Sequence, residues 1–123
     1  MVNKYLKNVL TVEKLKAFGA NTAEGVARCV NNEAFYLRMV SKAMSDANYG
    51  KLEAAIHVGA KAPAFEAAHA LKGVLGNLSL TPILEPVMEI TELLRSRADA
   101  NANYEAILER ILMKKRELDL LAQ

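Results

Sequence analysis

The chain has 123 residues, 52% of them hydrophobic, which suits one domain with one buried core rather than a disordered segment. With 16 Lys and Arg against 14 Asp and Glu, the formal net charge of +2 is too small to indicate binding to nucleic acid or to an anionic membrane. The single cysteine, Cys29, excludes an intrachain disulfide and is expected to be a small core residue. Without a signal sequence or a run of about 18 apolar residues, the chain is expected to be cytoplasmic.

Helix-favouring residues dominate the sequence, and Gly (6) and Pro (3) are scarce, so we expect an all-α protein. Thr11 is suited to cap a first short helix, which Gly19 would end. Asn21 or Thr22 would begin a second short helix that runs to about Val30.

Two longer helical segments are predicted next. Asn31-Asn32 is a cap signal for the first segment, and residues 46–50 are a break or kink within it. The sequence leaves open whether residues 32–58 form one bent helix or two. A further helix is predicted over about 62–78.

The carboxyl-terminal third predicts two more helices. Thr81-Pro82 reads as a cap followed by proline at the first helical position, and this helix should run to about residue 98. Within it, Pro86 removes one backbone hydrogen bond and favours a kink. Asn101 or Asn103 caps the last helix.

Short connections favour antiparallel neighbours, so the expected architecture is an antiparallel up-and-down four-helix bundle with short amino-terminal helices covering one end. Residues 1–123 would form a single domain, with 1–30 as a helical lead-in and 31–123 as the bundle. All four bundle helices can bury their stripes internally, which favours a monomer. The start at Met1 and the complete bundle favour a stand-alone protein over part of a larger kinase.

The helix over 62–78 carries the chemistry. Placed at about 100° per residue, its apolar side chains fall within one broad stripe, which is the core face. His69 lies nearly opposite the centre of that stripe and should point to solvent. Its neighbours on the exposed face are Ala62, Phe65, Glu66, Lys72, Gly73 and Gly76.

This face is unusual because interior glycines each cost a helix about 1 kcal/mol relative to alanine. Gly73 follows His69 by four residues and leaves the imidazole open on that side, and Gly76 extends the bare strip. Lys72 can offset the charge of a phosphoryl group on the ring. Phe65, unless the amino-terminal helices cover it, would form an apolar docking patch with Ala62.

A phosphoryl carrier accounts for these residues together. Neutral imidazole is a nucleophile at cell pH, and a phosphoryl group on its nitrogen can move onward. The chain has no glycine-rich phosphate loop, so the donor would be a phosphorylated residue of another protein. Glu66, one turn before His69, would either orient the ring by a hydrogen bond or simply be solvated.

His69-Ala70-Leu71-Lys72-Gly73, followed by Gly76-Asn77-Leu78, resembles the His-x-x-Lys-Gly signature of histidine phosphotransfer (HPt) domains. The resemblance implies a four-helix bundle without kinase activity, which shuttles phosphoryl groups between receiver-domain aspartates. His69 would be phosphorylated, Lys72 would stabilise charge and Gly73 would give clearance. The implied partners are response-regulator receiver domains and a hybrid sensor kinase. Ser79 departs from the glycine that many members have, and we expect it to help cap the next helix.

Other interpretations remain. A non-catalytic helical adaptor could use the same exposed face to bind a receiver or a partner helix. A general base at His69 would need a cleft and a second polar group, which a convex helix does not offer. His57, at a helix end without a following lysine or glycine at the matching positions, is read as structural. No cluster has metal-ligand spacing, so neither a metal nor a cofactor is expected.

Overall fold

The computed structural model describes residues 9–96 and 103–123, and all regular secondary structure in these ranges is α-helical, as predicted. The predicted end of one helix near residue 98 and the candidate cap Asn101 lie outside these ranges. The helices are α1 (Val12–Phe18), α2 (Thr22–Arg28), α3 (Glu33–Met44), α4 (Asn48–His57), α5 (Lys61–Asn77), α6 (Thr81–Ser96) and α7 (Tyr104–Leu120).

Polar side chains cap the starts of several helices. The Thr11 hydroxyl accepts a hydrogen bond from the backbone N–H of Lys14 at 3.1 Å. Asn21, Asn32 and Asn103 accept equivalent bonds at the starts of α2, α3 and α7. Each bond satisfies a backbone donor that has no partner within its helix. The predicted caps at Thr11 and Asn32 are confirmed. Of the alternatives that the sequence leaves open, Asn21 caps α2 and Asn103 caps α7.

The segment 32–58 forms two helices rather than one. Asp46 lies in the break, where its Oδ1 accepts hydrogen bonds from the backbone N–H and the side-chain amide of Asn48 at 2.7 and 2.9 Å. Such local side-chain bonds compete with helix continuation.

Helix α2 ends at Arg28, two residues before the predicted end at Val30, because Val30 has a left-handed φ of +51°.

In the turn between α5 and α6, Ser79 has a backbone conformation that favours glycine. Ser79 has a φ of +54°, and the backbone N–H of Leu80 donates to the carbonyl of Leu75 at 3.0 Å. The Ser79 hydroxyl donates to Oε1 of Glu24 at 2.6 Å, and among the described residues no backbone N–H of α6 donates to it, so the expected cap by Ser79 is not seen. Thr81 is the first residue of α6 rather than its cap, and proline follows at the second position.

Helices α4 to α7 pack in sequence, α4 against α5, α5 against α6 and α6 against α7, and α4 also contacts α7. Helix α6 continues through Pro86, which is buried. Cys29 is also buried, as expected. The largest fully buried side chains are Tyr36, Leu15, Leu52, Leu71, Leu75, Leu80, Ile83, Ile90, Ile111, Leu118, Val40 and Val87.

The short amino-terminal helices contact the α5–α6 turn and the end of α7. Lys14 of α1 donates from Nζ to the carbonyl of Leu121 at 3.1 Å. The backbone N–H of Asn21, at the start of α2, donates to the carbonyl of Ser79 at 3.0 Å. These bonds anchor the lead-in to the helices that follow. None of the described helices has the length and apolar character needed to cross a membrane.

Candidate functional site

Helix α5 has one buried face and one exposed face, as its sequence pattern predicts. Its buried residues are Ala64, Ala67, Ala68, Leu71 and Leu75, and they belong to the hydrophobic core. Small alanines on this face let α4 and α6 approach α5 closely. Burial of this face fixes the rotation of the helix about its axis. His69 is thereby turned outward, and its exposure is confirmed.

The His69 imidazole makes one ring contact, and that contact is with Phe65 one turn earlier. The two ring centroids are 5.6 Å apart and the ring planes differ by 16°, which is a stacked arrangement. No hydrogen bond or ion pair joins His69 to any residue within the described ranges. The alternative in which Glu66 bonds the ring is therefore not seen, although Glu66 is exposed on the same face.

The strip below His69 is open, because no atom of another element lies where a side chain on Gly73 or Gly76 would stand. A Cβ built on Gly73 or on Gly76 would meet no atom within 4 Å outside the local helix backbone. Close helix packing is therefore not the reason for these glycines. The strip has a boundary at its far end, where the guanidinium of Arg28 donates to the carbonyl of Gly76 at 2.6 Å.

The remaining predicted site residues share this face but differ in exposure. Lys72 is half-buried and makes no ion pair with any described residue, whereas Ala62 is exposed. Phe65 is half-buried, and the group that lies over its ring is the Arg95 guanidinium of α6, with 5.4 Å between the guanidinium carbon and the ring centroid. Arg95 also pairs with Glu92 at 3.3 Å.

An open depression of about 630 Å³ lies beside this stack. It is lined by residues of α5 and α6, namely Lys61, Ala62, Phe65, Glu66, Leu94 and Arg95. Its mixed apolar and charged lining suits contact with a protein surface better than enclosure of a small molecule.

Three contacts at this face were not predicted from the sequence pattern. The stack of Phe65 on His69 has a local signal, because residues four apart are neighbours on a helix. The Arg95 contact has none, since it depends on how α6 packs against α5. The Arg28 bond likewise depends on where the lead-in folds back.

His57, the other histidine, has a different environment. It ends α4, and its Nδ1 lies 3.1 Å from Oε2 of Glu105, while its Nε2 lies 3.7 Å from Oε2 of Glu53. The hydrogen bond and charge of Glu105, helped by Glu53, raise the pKa of His57 above its usual 6.5. Held between two carboxylates, His57 fits the structural interpretation.

Within residues 9–96 and 103–123, no group of three or more His, Cys, Asp or Glu residues is arranged to hold a metal ion. Comparisons with protein-family models, with curated proteins and with solved structures find no match to the chain.

Proposed function

We propose that the chain is a histidine phosphotransfer protein of a two-component phosphorelay. His69 accepts a phosphoryl group from the aspartate of one response-regulator receiver domain and passes it to another. The observation that supports this most is the exposed imidazole above an open helix surface, where a Cβ at Gly73 would meet nothing within 4 Å. A structural histidine needs no such clearance, whereas a phosphoryl donor must bring its own protein close to the ring.

The reaction is a transfer between two side chains and needs no ATP site. A nitrogen lone pair of neutral His69 forms the N–P bond as the P–O bond to the partner's aspartate breaks, and the carboxylate leaves with that electron pair. The ring gains positive charge, which is removed when the proton on its second nitrogen passes to water. Lys72, three residues along the same face and not engaged in an ion pair with a described residue, would stabilise the phosphoryl oxygens. The chain is a carrier without kinase activity in this proposal.

The proposal extends to architecture and partners. The successive contacts of α4, α5, α6 and α7, together with their short connections, support an antiparallel up-and-down four-helix bundle with α5 as its second helix. The partners would be receiver domains, including one carried by a hybrid sensor kinase. We also propose that the protein is a monomer and acts in the cytoplasm.

A transfer assay tests the proposal. A receiver domain labelled on its aspartate is mixed with the chain, and the wild type should take up label that is stable in base and labile in acid. His69→Gln should take up none. His57→Gln is the matched control, because it removes the only other histidine of the chain and should leave uptake unchanged.

The same variants address the adaptor alternative. A non-catalytic adaptor predicts that His69→Gln binds receivers and supports signalling as the wild type does. Normal labelling of His69→Gln would instead show that another residue is phosphorylated. Either result would contradict the proposal.

A further inference from the structure

The stack of Phe65 on His69 is a contact whose role is not explained by docking alone. Phe65 is half-buried at the edge of the core, and its ring lies nearly parallel to the imidazole, 5.6 Å away. The Arg95 guanidinium lies over the phenyl ring at 5.4 Å and is itself paired with Glu92. The phenyl ring is therefore held by α6 as well as by its own helix.

An exposed histidine without hydrogen bonds would otherwise sample several rotamers, because ordering a surface side chain costs conformational entropy. Among the described residues, the phenyl ring of Phe65 is the group seen to contact the His69 ring. From these observations we infer that Phe65 is a positioning residue, which holds the His69 imidazole in the orientation needed for phosphoryl transfer. This inference rests on the proposed function.

The geometry suits the reaction because the attacking lone pair of an imidazole nitrogen lies in the plane of the ring. A phenyl ring that lies nearly parallel to the imidazole restrains the plane in which that lone pair lies. As the N–P bond forms, the imidazole ring becomes positively charged, and the π-face of an aromatic ring attracts a cation within about 6 Å. Phe65 therefore fixes the ring plane and favours the charged ring as the bond forms.

The chain contains a matched control for this contact. Phe35 is also half-buried and also has a guanidinium over its ring, with Arg38 at 5.6 Å from the centroid. It lies on α3 and not on the helix that carries His69. Phe65→Leu and Phe35→Leu thus remove the same kind of aromatic side chain and the same kind of cation–π contact, but only the first removes the stack on the imidazole.

The test measures single-turnover transfer from a phosphorylated receiver domain over a range of receiver concentrations. Aromatic pairs contribute about 0.5–1.5 kcal/mol beyond area burial, so the limiting rate of Phe65→Leu should fall roughly 2-fold to 13-fold. The receiver concentration that gives half the limiting rate should change less than the limiting rate does, because Phe65 contributes only part of the proposed docking patch. Phe65→Tyr, which keeps the stack, should restore the rate, and Phe35→Leu should match the wild type.

Proton NMR tests directly whether the two rings are stacked in solution. The aromatic ring current of Phe65 should shift the His69 ring protons, and this shift should vanish in Phe65→Leu and persist in Phe65→Tyr. An unchanged limiting rate with a raised half-saturating concentration would show that Phe65 is only a docking contact and would overturn the inference while leaving the proposed function intact. A wild type that takes up no label would overturn the proposed function and this inference with it.

Discussion

Replacing Gly73 by alanine should make the protein more stable and the phosphotransfer slower. Gly73 lies inside α5, and a Cβ there would meet no atom within 4 Å beyond the local backbone, so alanine is accommodated without strain. Glycine in a helix interior costs about 0.5–1 kcal/mol relative to alanine. We therefore expect the unfolding free energy of Gly73→Ala to rise by about that amount, and the melting temperature by about 2–4 °C.

The same methyl group would stand one turn below the imidazole, where the proposed partner must approach. Forcing an extra methyl group into a packed interface typically costs about 1–3 kcal/mol. Transfer from a receiver domain should then slow roughly 5-fold to 140-fold, through weaker docking, a less favourable geometry, or both. A larger side chain, as in Gly73→Leu, should reduce transfer further.

Gly50 supplies the control, because its surroundings are equally open but it lies near the start of α4. Gly50→Ala should be at least as stable as the wild type and should transfer at the wild-type rate. Urea unfolding and the labelled-receiver assay measure the two effects. A wild-type transfer rate in Gly73→Ala would contradict the claim that the partner needs the space at Gly73. A lowered stability in Gly73→Ala would contradict the claim that this position is open.

Three further predictions concern the scaffold. Because Glu105 raises the pKa of His57, the stabilisation from this pair is present below pH 6.5 and is lost as the pH rises through the raised pKa. Glu105→Gln should lower the pKa of His57 in an NMR titration, and the unfolding free energy of this variant should fall less over the same pH range. Ser79→Gly should be about 1 kcal/mol more stable to urea than Ser79→Ala, since both lose the hydroxyl bond but only glycine is relaxed at a φ of +54°; equal stabilities would contradict the strain argument. Gly25→Ala should lower the unfolding free energy by about 1–3 kcal/mol, because the added Cβ would stand 2.8 Å from the carbonyl oxygen of Leu78; a melting temperature at or above the wild-type value would count against this tight contact.

The parts of the fold set by local chemistry could be predicted from the sequence. Caps at Thr11 and Asn32 follow from the bond that a short polar side chain makes with the nearby backbone. The exposure of His69 follows from helical periodicity, since the apolar residues of α5 lie on the opposite side. Such features depend on residues within one or two turns of each other.

Features that depend on distant segments could not be predicted in this way. Ser79 occupies a left-handed position where glycine is usual, and its hydroxyl bonds Glu24, which is 55 residues away. Arg28 and Arg95 reach the α5 face only after α2 and α6 have packed. For these residues the sequence gives no periodic signal, because long-range packing decides which atoms meet.

The central claim, that His69 carries the phosphoryl group, can be tested by locating the modification within the chain. After incubation with a phosphorylated receiver domain, tandem mass spectrometry on peptides prepared at alkaline pH should find one phosphoryl group on His69 and none on His57. Phosphoryl on another residue, or an unmodified chain alongside a receiver that remains phosphorylated, would contradict the account.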